Sequence, residues 1–315
     1  MAEGKRKSRI PEKYKPVVLF LRDAGIALAF VVCILLAMFF YTGLWPPLVV
    51  IESNSMMHTE DNTSKIGVID TGDLVLVKKV NSVSDIQTYV QGFVSGHRTY
   101  GDFGDVVIYK PLGQSGHTPI IHRAMLYLVA NGDGVSYSAP ALRQFPSARW
   151  TTQNSADTWD HLTSTLTLYH VGYRDMSVSI SIDSIIFRSS GTGLATGYIT
   201  KGDHNTGIDQ AIGEFGAQPV HFDWVVGKAS GEIPWFGLLK LWFTNTMVMD
   251  PPPNSTRNVW ICIAIIVIAP IAADVFLTHR ARIKAAKAKG EVEDEASPMK
   301  KVPDEPEEGS EPPRE

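Results

Sequence analysis

Three separate stretches of this 315-residue chain carry side chains that together could break an acyl bond. Ser55 lies in Glu52-Ser-Asn-Ser-Met56 and His122 in Pro119-Ile-Ile-His-Arg123. Asp203 and Asp209 lie in Lys201-Gly-Asp-His-Asn-Thr-Gly-Ile-Asp-Gln210, a loop by its Gly, Asn and Asp content. A serine hydroxyl is a poor nucleophile near neutral pH, and an imidazole is suited to take its proton. A carboxylate on the far ring nitrogen would fix the tautomer and stabilise the imidazolium. Composition alone does not assign these roles. The chain has nine histidines, a histidine in a strand is more often a hydrogen-bonded structural residue, and loop acids also serve turns. His204, inside the same loop, is a rival base.

Other chemistries find less support. No HExxH or paired-histidine spacing is present, and two cysteines supply neither a disulfide framework nor a cysteine-rich zinc site. Both of them, Cys33 and Cys262, fall in apolar runs, so the segment between those runs holds no thiol nucleophile. Neither a metal nor an organic cofactor is expected. The net charge of −4 gives no support to nucleic-acid binding.

The elements that must position these groups read as β. Short β-rich runs punctuated by turn residues cover Leu74–Val80, Asp105–Tyr109, Ile120–Val129, Thr163–Tyr173, Val178–Phe187 and Trp224–Ala229. The run VSISIDSIIF alternates apolar and polar residues, which suits a sheet with one wetted face. Long polar inserts at Asn81–Tyr100 and Asn131–Asp160 suggest a folded antiparallel sheet or barrel with cap insertions. Ile233–Met249 is aromatic and greasy; it suits either a surface resting on a lipid leaflet or a hairpin buried in the sheet core.

Charge and apolarity are strongly segmented. Residues 1–22 are net +5 and residues 280–289 also net +5, whereas residues 290–315 are net −7. The basic blocks flank two apolar runs. Ala24–Leu44 holds no charge; as a helix at about 1.5 Å per residue it would cross a bilayer core, with Trp45 at the headgroup level and Pro46-Pro47 as a stop. Its length and the absence of a small-residue cleavage site favour an anchor over a cleaved signal. Val259–Leu277 is interrupted by Pro270 and Asp274, and the basic block after it supplies the flank of a second span. The expected organisation is a basic N-terminus (1–22), a transmembrane helix (23–45), a β-rich domain (46–258), a second transmembrane helix (259–278) and a tail (279–315). The positive-inside bias places both termini in the cytoplasm and the β-rich domain outside. The acidic tail from Glu291 should be disordered and solvated.

The order of short motifs points to a family. Ser53-Asn-Ser55-Met56, Thr71-Gly-Asp-Leu-Val75, Gly104-Asp-Val-Val107, Ile120-Ile-His-Arg123, Thr200-Lys-Gly-Asp203 with Asp209, and Val226-Gly-Lys-Ala229 follow one another. In this order the chain resembles type I signal peptidases of the archaeal and endoplasmic-reticulum branch, over roughly Val49–Leu239 and the anchor before it. The resemblance implies a membrane-anchored antiparallel β domain that removes signal peptides from translocated preproteins at small-x-small sites. It implies Ser55 as nucleophile, His122 as general base and Asp209 as the favoured third member, with Asp203 supporting the loop or the base. Ser53, together with the Ser55 amide, would stabilise the oxyanion. Preprotein signal peptides, the lipid bilayer of the cell membrane and the protein translocation machinery are the implied partners, without nucleic acid.

The chain also departs from the family pattern. Asn54 stands where the family has glycine, His58 at its proline position, and His204 for an asparagine. The stretch His58–Asp70 is longer than usual, and a commonly doubled acid reads Asp209-Gln210. Two alternatives stay open: a catalytically silent membrane-anchored β domain serving binding or assembly, and a protease dedicated to a narrow set of surface precursors.

Overall fold

The computed structural model describes residues 11–59, 62–189, 191–211 and 218–295. The first ten residues, with four of the basic side chains, and the acidic tail beyond Glu295 lie outside the described residues. The chain divides into two compact units, 1–259 and 260–315.

The first unit begins with helix α1 (Lys15–Thr42). Twenty-eight residues without an interior proline or a β-rich break propagate a single helix, which Gly43 ends in the left-handed conformation, its amide donating to the Phe39 carbonyl. The helix starts eight residues before the expected boundary because Pro16 can occupy a first-turn position and nothing in 15–22 breaks helix. Its apolar side chains are exposed along most of its length.

Strands follow in chain order: β1 (Leu48–Val50), β2 (Leu74–Lys78), β3 (Arg98–Thr99), β4 (Asp102–Phe103), β5 (Val106–Tyr109), β6 (Ile120–Ala130), β7 (Tyr137–Ser138), β8 (Trp150–Thr152), β9 (Thr165–Val171), β10 (Met176–Ser181), β11 (Gly197–Lys201) and β12 (Val225–Ile233). The main sheet runs β1-β2-β12-β5-β6-β11, with β7 added beside β6. A three-stranded sheet, β10-β9-β8, comes from the segment between β6 and β11, and β3 pairs with β4. Every pairing between these described strands is antiparallel. The protein is therefore mainly antiparallel sheet with two long apolar helices, as expected.

Register is what matters for the site. His122 on β6 pairs with Val107 on β5, and Ala124 on β6 pairs with Thr200 on β11. Side chains alternate along a strand, so Tyr109, Val107, His122, Ala124 and Thr200 share one face of the sheet. Arg123, next in the chain, points to the other. The middle of the long β6, His122 to Leu126, is buried because layers pack on both of its faces, including a cluster around Leu126, Leu128, Leu166, Leu168 and Ile180.

Several expectations are corrected. The alternation read from Val178 to Phe187 ends at Ser181, and helix α3 (Ile182–Arg188) follows. Apolar residues at 182, 185 and 186 have helical spacing, and Ile182 and Ile185 are buried. The strand expected to reach Tyr173 stops at Val171, and Gly172–Asp175 forms a tight turn. The Asn81–Tyr100 insert contains α2 (Tyr89–Ser95), capped by Thr88 and Gln91, and the Asn131–Asp160 insert contains β7 and β8. Ile233–Met249 is no hairpin. It ends β12 and then forms α4 (Gly237–Thr244), burying Leu238 and Leu241 while Phe243 stays 91% exposed. Trp235, Phe236 and Trp242 are half-buried, and the Trp235 indole donates to Ser64 Oγ.

Helix α5 (Pro253–Glu295) begins in the first unit and makes up the described part of the second. It starts six residues before the expected span, with proline at its first position, and continues through Pro270. It also runs past the span's expected end, because Arg, Lys and Ala over 280–289 are strong helix formers. The acidic segment read as disordered from Glu291 is thus helical as far as Glu295. Among the described residues, α1 and the Pro253–Ala285 part of α5 are long and apolar enough to cross a membrane.

Candidate active site

Ser55 sits in the irregular segment after β1. The segment is pinned at its start through Ile51, whose carbonyl accepts from Gly72 N–H and whose own N–H donates to the Asp73 carbonyl. Met56 and Met57 are buried at 1% and 2% exposure, which anchors the turn carrying Ser55 in the core. The His204 amide donates to the Ser55 carbonyl at 2.8 Å, tying this segment to the loop after β11.

The sheet brings His122 to Ser55. Its Nε2 lies 3.0 Å from Ser55 Oγ, and its Nδ1 lies 2.7 Å from Asp209 Oδ2. The serine, imidazole and carboxyl are therefore in sequential hydrogen-bond contact, although they come from positions 55, 122 and 209. Asp209 opens a short 3-10 helix at the end of the Gly202–Ile208 loop. Gln210 folds that loop back onto β11, accepting from the Thr200 amide at 3.1 Å.

Asp209 Oδ2 also accepts from the hydroxyls of Tyr109 at 2.8 Å and Thr200 at 2.7 Å. These two come from the strands on either side of β6 and share its His122 face. Burial pushes the Tyr109 phenol well above its ordinary range, and the neighbouring Asp209 adds to this, so the group remains a donor. Tyr109 and Thr200 were not singled out from sequence; only the strand register reveals them.

Asp203 occupies a different position. It lies on the far side of β6, where the Arg123 guanidinium donates to it through Nε at 2.8 Å and Nη2 at 2.6 Å. His58 Nε2 adds a third bond at 2.7 Å. Burial alone would raise the Asp203 carboxyl, but Arg123 and His58 overcome it and hold it well below the usual carboxylate range. Arg123 Nη1 donates into the cluster of carbonyls of Thr99, Phe103 and Gly104. This fork ties the loop after β11 to the β3–β4 hairpin, and Asp203 makes no bond to His122. Of the two acids left open by the sequence, Asp209 is the one on the imidazole.

Ser53 Oγ is 3.2 Å from Ser55 Oγ. Gly202 passes so close that a Cβ there would lie 2.6 Å from the Ser55 carbonyl oxygen and 2.8 Å from His122 Nε2. Only glycine fits. The buried Lys201 donates to the Gly202 and Asp203 carbonyls rather than to Ser55. His204 is likewise turned elsewhere: its ring faces the Tyr173 hydroxyl and the Arg174 guanidinium. Its ring makes no bond to Ser55.

The remaining motifs have structural partners. Lys228 of Val226-Gly-Lys-Ala229 pairs with Asp105 of Gly104-Asp-Val-Val107 at 3.0 Å. Asp73 accepts from the Trp235 amide at 2.8 Å, holding the end of β12 against Thr71-Gly-Asp73.

A cleft of about 390 Å³ opens over Ser55 and His122, lined by Val50, Glu52, Ser53, Pro119 and Ile120 among others. A second cavity of about 380 Å³ shares Val50, Glu52, Pro119 and Ile121 and continues along β1 to Pro46. The β1 strand is the outer edge of the main sheet. Among the described residues, no group of three or more His, Cys, Asp or Glu side chains is arranged to hold a metal ion. In comparison with known proteins, the chain matches no family model and no curated sequence.

Proposed function

We propose that the protein is a membrane-bound serine endopeptidase of the type I signal peptidase class, removing signal peptides from translocated preproteins at small-x-small sites. The observation that carries this reading is the chain of contacts Ser55 Oγ to His122 Nε2 at 3.0 Å and His122 Nδ1 to Asp209 Oδ2 at 2.7 Å. The three-stranded sheet and the α2 insert stand as the cap of that fold.

An extended substrate adds along the β1 edge, where backbone hydrogen bonds give affinity and the small apolar cleft gives selectivity. Ser55 Oγ attacks the scissile carbonyl as His122 Nε2 takes its proton, and Asp209 steadies the imidazolium. The imidazolium then protonates the leaving amine, leaving an acyl-enzyme on Ser55. Water, deprotonated by His122, resolves the ester and frees the serine. Ser53 Oγ and the Ser55 amide stabilise the oxyanion, the amide contributing roughly 3–4 kcal/mol.

The two apolar helices act as spans, with both termini cytoplasmic and the β domain outside the cell membrane. Ser55 is the tenth residue after Trp45, at most about 35 Å of extended chain away, so the nucleophile works close to the lipid. Exposed Trp45, Phe243, Val248 and Met249 support contact with that surface. A preprotein leaving the translocation machinery presents its cleavage site at the same level.

The test is cleavage of a labelled preprotein in detergent by wild type and by Ser55→Ala. Wild type is expected to release the mature chain and Ser55→Ala to release none. Equal cleavage by both, or none by wild type, would end the proposal; N-termini of released products define the substrate range.

A further inference from the structure

Two of the departures from the family pattern, His58 and His204, meet at one place. Both face the turn between β9 and β10, on the sheet contributed by the segment between β6 and β11. The Tyr173 ring stacks on the His58 ring, with centroids 4.6 Å apart and planes 17° from parallel. The Tyr173 hydroxyl lies 2.9 Å from His204 Nδ1. Arg174 donates through Nη1 to the His204 carbonyl and through Nη2 to its ring, 3.2 Å from Nε2.

The same Nη2 is 3.3 Å from His204 Nδ1, so the guanidinium lies against both ring nitrogens while the Tyr173 hydroxyl approaches Nδ1. The ring is thereby held between the two side chains of the turn. The main-chain amide of this same residue donates to the Ser55 carbonyl at 2.8 Å. On the other side, His58 is three residues from Ser55, and its Nε2 bonds Asp203 Oδ2 at 2.7 Å. The side chains of His58 and Asp203 are 8% and 5% exposed. Proline, which the family places at position 58, has no side-chain nitrogen to make this bond.

From this geometry we infer that the Tyr173-Arg174 turn is a positioning element for the nucleophile: it grips His204 and His58 and so fixes the Ser55 main chain relative to the His122 ring. The inference rests on the protease reading above and deepens it, because it makes the inserted sheet part of the catalytic geometry. Tyr173 and Arg174 do not touch the reacting atoms. They act through His204 and His58, and their loss lets Ser55 Oγ drift from His122 Nε2. A misplacement of about 1 Å at a reacting atom costs about 10²-fold in rate.

The experiment measures kcat and KM for cleavage of a labelled preprotein by full-length wild type, Tyr173→Ala, Tyr173→Phe, Arg174→Ala and Arg174→Lys in detergent. Amide hydrogen exchange over residues 200–210 is followed in each variant. The alanine variants are expected to lose about 10²-fold in kcat with KM little changed. Exchange at the His204 amide should rise selectively in both. Tyr173→Phe, which keeps the stack on His58, and Arg174→Lys, which keeps a donor, should recover part of kcat and guard against simple misfolding. Wild-type kcat in both alanine variants, or a fall in kcat matched only by a global rise in exchange, overturns the positioning role. Absence of Ser55-dependent cleavage by wild type overturns the protease reading and this role with it.

Discussion

Replacing Asp209 by asparagine isolates the charge on the imidazole from everything else at the site. The side chain is 1% exposed and Oδ2 takes three donors, from His122, Tyr109 and Thr200. Asparagine is isosteric and can leave its oxygen facing all three, so the fold should survive. Its amide nitrogen then lies where Oδ1 is buried without a partner, a cost of about 1–3 kcal/mol in stability. The catalytic loss is larger. With the nitrogen and oxygen 2.7 Å apart, the centres of the two charges are separated by about 4 Å. At an effective dielectric of about 20, their attraction is about 4 kcal/mol, present only once the imidazolium forms. Asp209→Asn should therefore lower kcat by about 10³-fold, since each decade costs about 1.36 kcal/mol. Stopped assays on a labelled preprotein, alongside thermal melts, measure both quantities. Asp203→Ala, by contrast, should act mainly on the melt, because Asp203 makes no bond to His122. If Asp209→Asn cleaves within tenfold of wild type, or Asp203→Ala loses more kcat at equal folded fraction, the assignment of the third group is wrong.

Two further outcomes are expected. In Gly202→Ala a Cβ would press on the Ser55 carbonyl at 2.6 Å and His122 Nε2 at 2.8 Å, so cleavage should fall by about 10²-fold while the sheet stays folded by circular dichroism. Unimpaired cleavage by that variant would mean the loop is not seated as described. The pH dependence of stability should carry the mark of buried Asp70 and Asp73, whose carboxyls burial pushes up to about 6 and about 7. Because their folded pKa values exceed the unfolded value of 3.8, they contribute stability fully below about pH 4 and lose it as pH rises through 6 and 7. Melting temperatures from pH 4 to pH 8 should therefore decline across that window, and Asp70→Asn should flatten the decline; an unchanged slope in that variant would contradict the assignment.

Much of the site was legible because its motifs are short and local. Ser55, His122 and the acid loop could be picked out one by one, and the strand carrying His122 was read nearly to its ends. The helical boundaries were read less well. Hydropathy marks where a helix is apolar, whereas the backbone continues wherever no residue breaks it, as over 15–22 and 280–295. The Val178–Phe187 run shows a different limit. Its period changes from two to helical spacing at Ser181, and a reading that extends the first period misses α3.

The partners of the site were not legible, and the reason is geometric. His122 and Arg123 are adjacent in sequence, yet strand alternation sends one to Ser55 and Asp209 and the other to Asp203. Alternation predicts that opposition, but not which acid waits on which face. That depends on how the Gly202–Ile208 loop turns back, with Gln210 fastened to β11.

The amino-acid order by itself determined the apolar helices, the β character of the region between them, and the identities of the serine, histidine and acids able to act together. These depend on composition and on periods of two to four residues, which neighbours along the chain supply. Only the tertiary structure decided that Asp209 rather than Asp203 meets His122, that Tyr109 and Thr200 converge on the same carboxyl oxygen, and that the turn at Tyr173 grips His58 and His204. Those contacts join residues separated by tens of positions. They arise from the register of β5, β6 and β11 and from close packing, which no local pattern encodes.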